Sequence, residues 1–278
     1  MGQQLEFSDE QRWFVVTQPG AGIFAIREPL HAEDVRSYLV VGGKKAVLID
    51  TGTGIGNIRK VVEGVTDLPV MVVNSHSHWD HIGGNWQFSD IAIHGLEAGW
   101  LDAADLNDTL QASCVPERLR GQLPPGVAWE DLEIRPSKAT RLLQGGEQFD
   151  LGGRSIEAIH APGHSPGLLV LIDREAGVLF STDAVYPGPL YAQDDECDLE
   201  AYLATLEMLV DLAPSLTMVL PCHDGDEMPA EVIPAMRDAM AAVLAGRQPD
   251  EIDEVQAAHW FDGFGIYVPP GYRGRNAA

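Results

Sequence analysis

Residues 72–85, VVNSHSHWDHIGGN, place His76, His78, Asp80 and His81 within six positions, straight after an apolar run. Neutral imidazoles and carboxylates are the donors that zinc and similar divalent ions take, three or four to an ion. On extended chain, residues two apart point the same way, so His76, His78 and Asp80 can face one cavity. His81, at the break into the next helix, can turn toward that cavity from the other side. Four donors are too few for two ions, so a two-ion site needs more from later strand ends. Three candidates stand there: His164 in the Pro/Gly-bounded HAPGHSPG, Asp183 in LFSTDAVY and His223 in LTMVLPCHDGD. Strand ends hold side chains rigidly, as a metal site requires.

The chain has nine histidines. His31, His94, His160 and His259 fall outside the pattern and read as structural or exposed. His160 shares a loop with His164 and is its rival as a ligand; from the strand end it would otherwise orient the loop or donate a hydrogen bond behind a ligand. Asp183 alone would pass for a strand-end turn residue; in company with the other donors it reads as a ligand. Asp50 is a candidate acceptor for a ligating histidine. Cys114, Cys197 and Cys222 are scattered, with no CxxC pair and no disulfide framework. Cys222 lies beside His223, but adjacent side chains rarely aim at one another, so a Cys/His nucleophile is set aside. VLIDTGTGIGNI invites a dinucleotide reading, yet Gly52, Gly54 and Gly56 are spaced GxGxG rather than GxGxxG. Those glycines are expected to let the loop pass close under neighbouring groups. No GxSxG is present, which favours metal-activated water over a serine nucleophile.

With 42 acidic against 18 basic residues and only four lysines, the formal charge is −24. Such a surface repels phosphate backbones, so nucleic acid is not an expected partner. No window approaches eighteen uninterrupted apolar residues, so no membrane span is expected. MGQQLEFSDEQRWF has neither the basic nor the apolar region of a secretory signal, and the expected location is the cytoplasm.

Strands are expected at WFVVT, GIFAI, SYLVV, AVLID, PVMVVN, IAIHG, ATRLL, EQFDL, SIEAIH, LLVLID, GVLFSTD and LTMVL. Helices are expected over GNIRKVVEGV, from Asp198 as N-cap through apolar positions 199, 202, 203, 206, 209 and 210, and over 230–246. Consecutive short strands with tight turns must be antiparallel. The order suggests two similar halves, and a two-sheet core with helices outside both faces suits it better than a doubly wound sheet. One domain over 1–278 is expected, with 96–139 a helical insertion or flap over the site and 248–278 a C-terminal tail. Trp100 and Trp129 would give the flap an apolar wall. The aromatic HWFDGFGIYVPPGY would be a second wall or a subunit contact in a homodimer.

Taken together, these motifs resemble the metallo-β-lactamase-fold superfamily. Its HxHxDH signature is matched by His76-x-His78-x-Asp80-His81, and its later ligands by His164 in PGHS, Asp183 in STDAV and His223 in LPCHD. VLIDTG matches the strand before the superfamily's first helix. The resemblance implies the α/β class, a four-layer αββα sandwich, and two divalent metal ions, most simply zinc. By that resemblance His76, His78 and His164 would hold one ion, Asp80, His81 and His223 the other, and Asp183 would bridge. The Asp-bridged set is similar to lactonases, glyoxalase II-type thioesterases and phosphodiesterases rather than to β-lactam hydrolases. Tyr186, three residues after Asp183, matches a tyrosine that in acyl-homoserine lactonases helps bind the substrate carbonyl. The expected activity is hydrolysis of a small-molecule ester or lactone, with Asp80 as general acid/base. The alternatives are a glyoxalase II-like thioesterase or phosphodiesterase, a β-lactam hydrolase and, outside the hydrolases, a mononuclear iron persulfide dioxygenase.

Overall fold

The computed structural model describes residues 12–102, 110, 113–128, 130 and 132–275. Trp129 lies outside the described residues. Two compact units divide the chain, one running to Ile156 and the other starting at Glu157.

In the first unit, short links leave no length for a crossover, so the first four strands pair antiparallel in chain order. They are β1 (Val15–Gly20), β2 (Ile23–Arg27), β3 (Arg36–Val41) and β4 (Ala46–Ile49). Helix α1 (Ile58–Val65) then carries the chain across. β5 (Val70–Val73), β6 (Ile91–His94) and β7 (Arg141–Leu143) extend the same sheet in parallel, and all seven strands lie in chain order. Asn57 caps α1 by accepting from Lys60 N at 3.1 Å. Ile58, Val61 and Val62 form its buried stripe. β4 and β5 bring their ends side by side, and that is where Asp50 and the Asn74–His81 loop begin.

A four-residue helix, α2 (Trp79–Ile82), follows β5 and ends at Gly83. Gly83 packs directly on the loop after β4. A Cβ at Gly83 would stand 2.2 Å from Thr53 O, and one at Gly54 (φ +79°) would stand 2.4 Å from Gly83 O. The glycine-rich stretch after β4 is thus a close backbone contact, as its composition suggests. Segment 96–139 was expected as a flap. Of its described apolar residues, Leu101, Leu110, Leu132 and Ile134 are buried in the first unit's core with Trp13, Leu48 and Ile58, while Leu96, Trp100 and Val115 are exposed. Ala98–Asp102 is a 3₁₀ turn.

The chain passes into the second unit along β9 (Ser155–His160), after β8 (Gln148–Asp150). β10 (Leu169–Asp173) and β11 (Val178–Thr182) form the expected hairpin, turning at Gly177 (φ +67°), and β9 flanks β10. β12 (Pro189–Tyr191) leads to helix α3 (Leu199–Leu212). Asp198 caps α3, accepting from Glu200 N and Ala201 N at 2.9 and 3.0 Å. The helix is the crossover that makes β13 (Met218–Pro221) parallel to β11. After α4 (Ile233–Leu244), the stretch read as a tail builds β14 (Glu251–Ile252), β15 (Ala257–Phe261) and β16 (Phe264–Val268). They form a four-stranded sheet in the order β12-β16-β15-β14. Leu190, Ala257, Ile266 and Val268 face a core with Tyr202, Leu206 and Met240.

Replacing Gly83 by Ala forces a methyl into the Thr53 carbonyl, and overpacking of this kind costs about 1–3 kcal/mol. Urea unfolding of G83A is expected to shift to a lower midpoint with the slope unchanged. An unaltered midpoint would show that the two loops have slack.

Candidate metal centre

In the first unit the donors follow β5 in an unpaired loop that the neighbouring strand end organises. Asp50 closes β4 with φ +61°, a left-handed conformation that turns its carboxylate back over the chain. Its Oδ1 accepts from Ser75 N at 2.7 Å; its Oδ2 accepts from Ser75 Oγ at 2.7 Å and from His81 Nδ1 at 2.9 Å. Ser75 Oγ, having given its proton to Asp50, can only accept from His76 Nδ1, 2.9 Å away. One buried carboxylate therefore sets the tautomer of two imidazoles, protonated at Nδ1 with the Nε2 lone pair turned to the ligand side. Asp50 was singled out from the sequence for this part; Ser75 was not.

His76 and His81 are fully buried, Asp80 is nearly so, and His78 is half-buried. The His76 ring lies 4.5 Å from that of His78 and 4.2 Å from that of His81, centroid to centroid. His81 Nε2 and Asp80 Oδ2 are 3.6 Å apart. Buried Glu97 fixes the loop by accepting from Ser77 N at 2.6 Å. Nothing in the spacing of Glu97 marks it for this role. Asn74 and Asn85 interlock by paired amide bonds, and Asn74 Nδ2 also donates to His81 O.

The loop after β4 rests in turn on Glu28. This carboxylate accepts from Trp13 Nε1, from Thr53 Oγ1, and from Thr53 N at 2.8 Å. Burial pushes its pKa up to about 7, against the lowering effect of those hydrogen bonds.

In the second unit His164, Asp183 and His223 come together from three separate strand ends. His164 Nδ1 donates to Tyr191 O at 2.9 Å, so its Nε2 also carries the lone pair. Asp183 spreads its carboxylate: Oδ2 is 3.3 Å from His164 Nε2 and Oδ1 is 3.6 Å from His223 Nε2. A direct hydrogen bond between such groups would close to about 2.7–2.9 Å. Donor atoms sharing one tetrahedral ion at ordinary bond lengths sit about 3.3–3.6 Å apart. The donor set and its spacing therefore fit a divalent cation better than they fit ion pairs. Cys222 Sγ donates to Asp183 Oδ1, and the donor atoms of Asp183, Cys222 and His223 lie within 4.8 Å of one another.

Two buried tyrosines support this group. Tyr202 Oη donates to Asp183 O and Ala184 O at 2.9 and 3.0 Å, fixing the turn after β11. Tyr186 Oη donates to Pro189 O at 2.5 Å and accepts from Tyr191 N at 3.2 Å. Burial, with Asp183 nearby, holds both phenols well above their ordinary pKa. His160 Nε2 bonds Pro166 O at 2.9 Å, so it braces the His164 loop from within. His31 and His259 likewise engage structural partners, Ser113 O and Arg247.

Comparison with known proteins agrees with this chemistry. The sequence model of the metallo-beta-lactamase superfamily matches residues 32–223. Human acyl-coenzyme A thioesterase MBLAC2 is 32% identical over 227 residues, covering 76% of this chain and 81% of that one. A probable metallo-hydrolase of Bacillus subtilis, YqgX, is 24% identical over 71% of this chain and 88% of its own. Among solved structures, an archaeal metallo-beta-lactamase superfamily protein from Sulfolobus tokodaii superposes with a TM-score of 0.59 at 19% identity. It covers 84% of this chain and 90% of its own. A Burkholderia ambifaria beta-lactamase domain protein gives 0.61 at 24% identity over 84% and 77%. These neighbours establish the fold, of the α/β class with mixed sheets. The relatives named are hydrolases, superfamily members bind divalent metals, and among the described residues no helix is long and apolar enough to cross a membrane.

Glu28 makes stability depend on pH. Its carboxyl titrates near 7 in the fold and near 4.5 unfolded, so the folded state binds the extra proton between those values. Its contribution is greatest below pH 4.5, declines as pH rises toward 7 and then levels off. Melting temperatures of the protein and of Glu28→Gln, taken across pH 4.5–8, should diverge in favour of the variant as pH rises. Parallel curves would remove Glu28 from this role.

Proposed function

Because the chain belongs to the metallo-β-lactamase superfamily, we propose that it is a metal-dependent hydrolase of acyl bonds. A thioester is the leading substrate class, and a carboxylic ester or lactone the second. The observation that carries this reading is Asp183, one carboxylate spreading its two oxygens toward two imidazoles, as a bridge between two cations must. In this reading His76, His78 and His164 hold one cation, Asp80, His81 and His223 the other, and Asp183 joins them. The order of these residues in the family signature is the support for combining the donors of the two units. Zinc suits the imidazole and carboxylate set.

Bound there, the cations would supply an attacking water of lowered pKa and positive charge against the developing oxyanion. The chain's own contribution is preparation and proton transfer. Asp50 keeps His76 and His81 in the ligating tautomer through Ser75 Oγ and directly, and Tyr191 O does the same for His164. The Asp80 carboxylate takes the proton of the attacking water and returns it to the leaving sulfur or oxygen. Thioesters lead because two kinds of relative are named thioesterases: MBLAC2, and an Aspergillus novofumigatus carrier-protein thioesterase at 24% identity over 81% of this chain and 58% of its own. The charge of −24 repels a polyphosphorylated carrier, so the class, and not coenzyme A itself, is the proposal. A cavity of about 470 Å³ in the first unit, lined by Ile55, Trp86 and Leu132 and also by Glu130, Glu133 and Arg135, is of a size to take an acyl group. Most of that lining comes from segment 96–139, which supports reading the segment as a substrate wall.

Chelation should abolish turnover of acyl thioesters, and zinc should restore it to a protein holding about two ions per chain. His78→Ala should be inactive. A panel of acyl thioesters, aryl esters, lactones, β-lactams and phosphodiesters decides the class. Full turnover in the stripped protein or in H78A would end the metal mechanism, and cleavage of phosphodiesters alone would end the acyl assignment.

A further inference from the structure

β12 is an edge strand, and its two sides do different work. Gly188 O accepts from Gly265 N, and Ala192 N donates to Tyr267 O, so those positions turn toward β16. Strand alternation then turns the backbone groups of Pro189 and Tyr191 to the opposite side. On that side Pro189 O and Tyr191 N are both engaged by the hydroxyl of Tyr186, and Tyr191 O by His164 Nδ1. The Tyr186 ring is 1% exposed and stands edge-on to His223, with centroids 5.7 Å apart.

We propose that Tyr186 is a positioning residue for His164, acting through the backbone of β12. A phenol both donates and accepts, so one hydroxyl can grip a carbonyl and an amide two residues apart. The grip fixes the peptide unit that precedes Tyr191, and the bond from Ala192 N to Tyr267 O fixes the one that follows; between them they set the direction of the Tyr191 carbonyl that orients the imidazole. The side chain is thereby committed inside the protein rather than to a substrate oxygen. This role rests on His164 being a metal ligand, as proposed above. It predicts a consequence for metal affinity that contact with substrate would not have.

The test compares the intact protein, Tyr186→Phe and Tyr191→Phe, each stripped and titrated with zinc. The ring N–H of His164 is followed by NMR after ¹⁵N-histidine labelling, with His164→Gln giving the assignment. Y186F should weaken one of the two bound zinc ions about 10–100-fold, as loss of a partner behind a ligand does, and should speed solvent exchange of the His164 ring proton. Y191F keeps its backbone and should do neither. Unchanged zinc affinity and ring exchange in Y186F, with kcat alone reduced, would overturn the proposal and return Tyr186 to the substrate. If the intact protein binds no zinc, the metal reading fails, yet ring exchange in the stripped proteins still decides the clamp. Should Y186F fail to fold, exchange in the intact protein decides: the His164 ring proton and the Tyr191 amide should be protected to the same degree. A protection factor for the ring proton more than about tenfold below that of the amide, each taken against its own intrinsic rate, would overturn the clamp.

Discussion

The carboxylate of Asp50 is the constraint from which the first unit's donor loop follows. An imidazole can ligate through Nε2 only if its proton is held at Nδ1, and in water the two tautomers interchange freely. Here one buried carboxylate holds that proton for His81 directly and for His76 through Ser75 Oγ. It reaches both because Asp50 adopts a left-handed backbone at the end of β4, next to the end of β5. Strain at one residue is exchanged for the orientation of two, a common bargain where a site must be ready before its ligand arrives.

What surrounds Asp50 can be understood as support for that conformation. The loop from Thr51 to Gly54 is clamped from above by the backbone of Gly83 and from below by Glu28, whose carboxyl leaves no room for a side chain at Gly52. Thr51 and Asn74 both hold the carbonyl of His81. A carboxyl as buried as Glu28 is costly to ionise, and its three hydrogen bonds only partly offset that cost. The second unit solves the same problem by different means. There a backbone carbonyl, Tyr191 O, orients the imidazole, and buried phenols fix the turns that deliver Asp183 and the carbonyl itself. Neutral donors and acceptors suffice because Asp183 already brings a charge.

Much of this was legible in the chain. His76, His78, Asp80 and His81 stand in a spacing that few purposes other than metal binding require, and Asp198 announced α3 by its side chain and the apolar period behind it. The C-terminal sheet was legible too, yet read as a tail. Phe261-Asp262-Gly263-Phe264 is an Asp-Gly turn between strands, with Gly263 at φ +82°, and Asp-Gly flanked by alternating residues is a strong hairpin signal. The burial of part of segment 96–139 was not legible for a physical reason: its apolar residues are spread thinly among prolines and charges, so no periodicity shows that Leu101, Leu132 and Ile134 reach the first unit's core.

By itself the sequence determined the candidate donors, the chemistry open to them and the strand ends that present them, because residue type and local periodicity are properties of short stretches. Only the tertiary structure decided which nitrogen of each imidazole faces the ligand, since that depends on partners far along the chain: Asp50 for His81, Tyr191 for His164. It also decided that Asp183 opens its two oxygens toward two different histidines, and that the Tyr186 hydroxyl turns inward to β12. Orientation of a side chain is set by what it packs and bonds against, and for His81, His164 and Asp183 those partners belong to other segments of the fold.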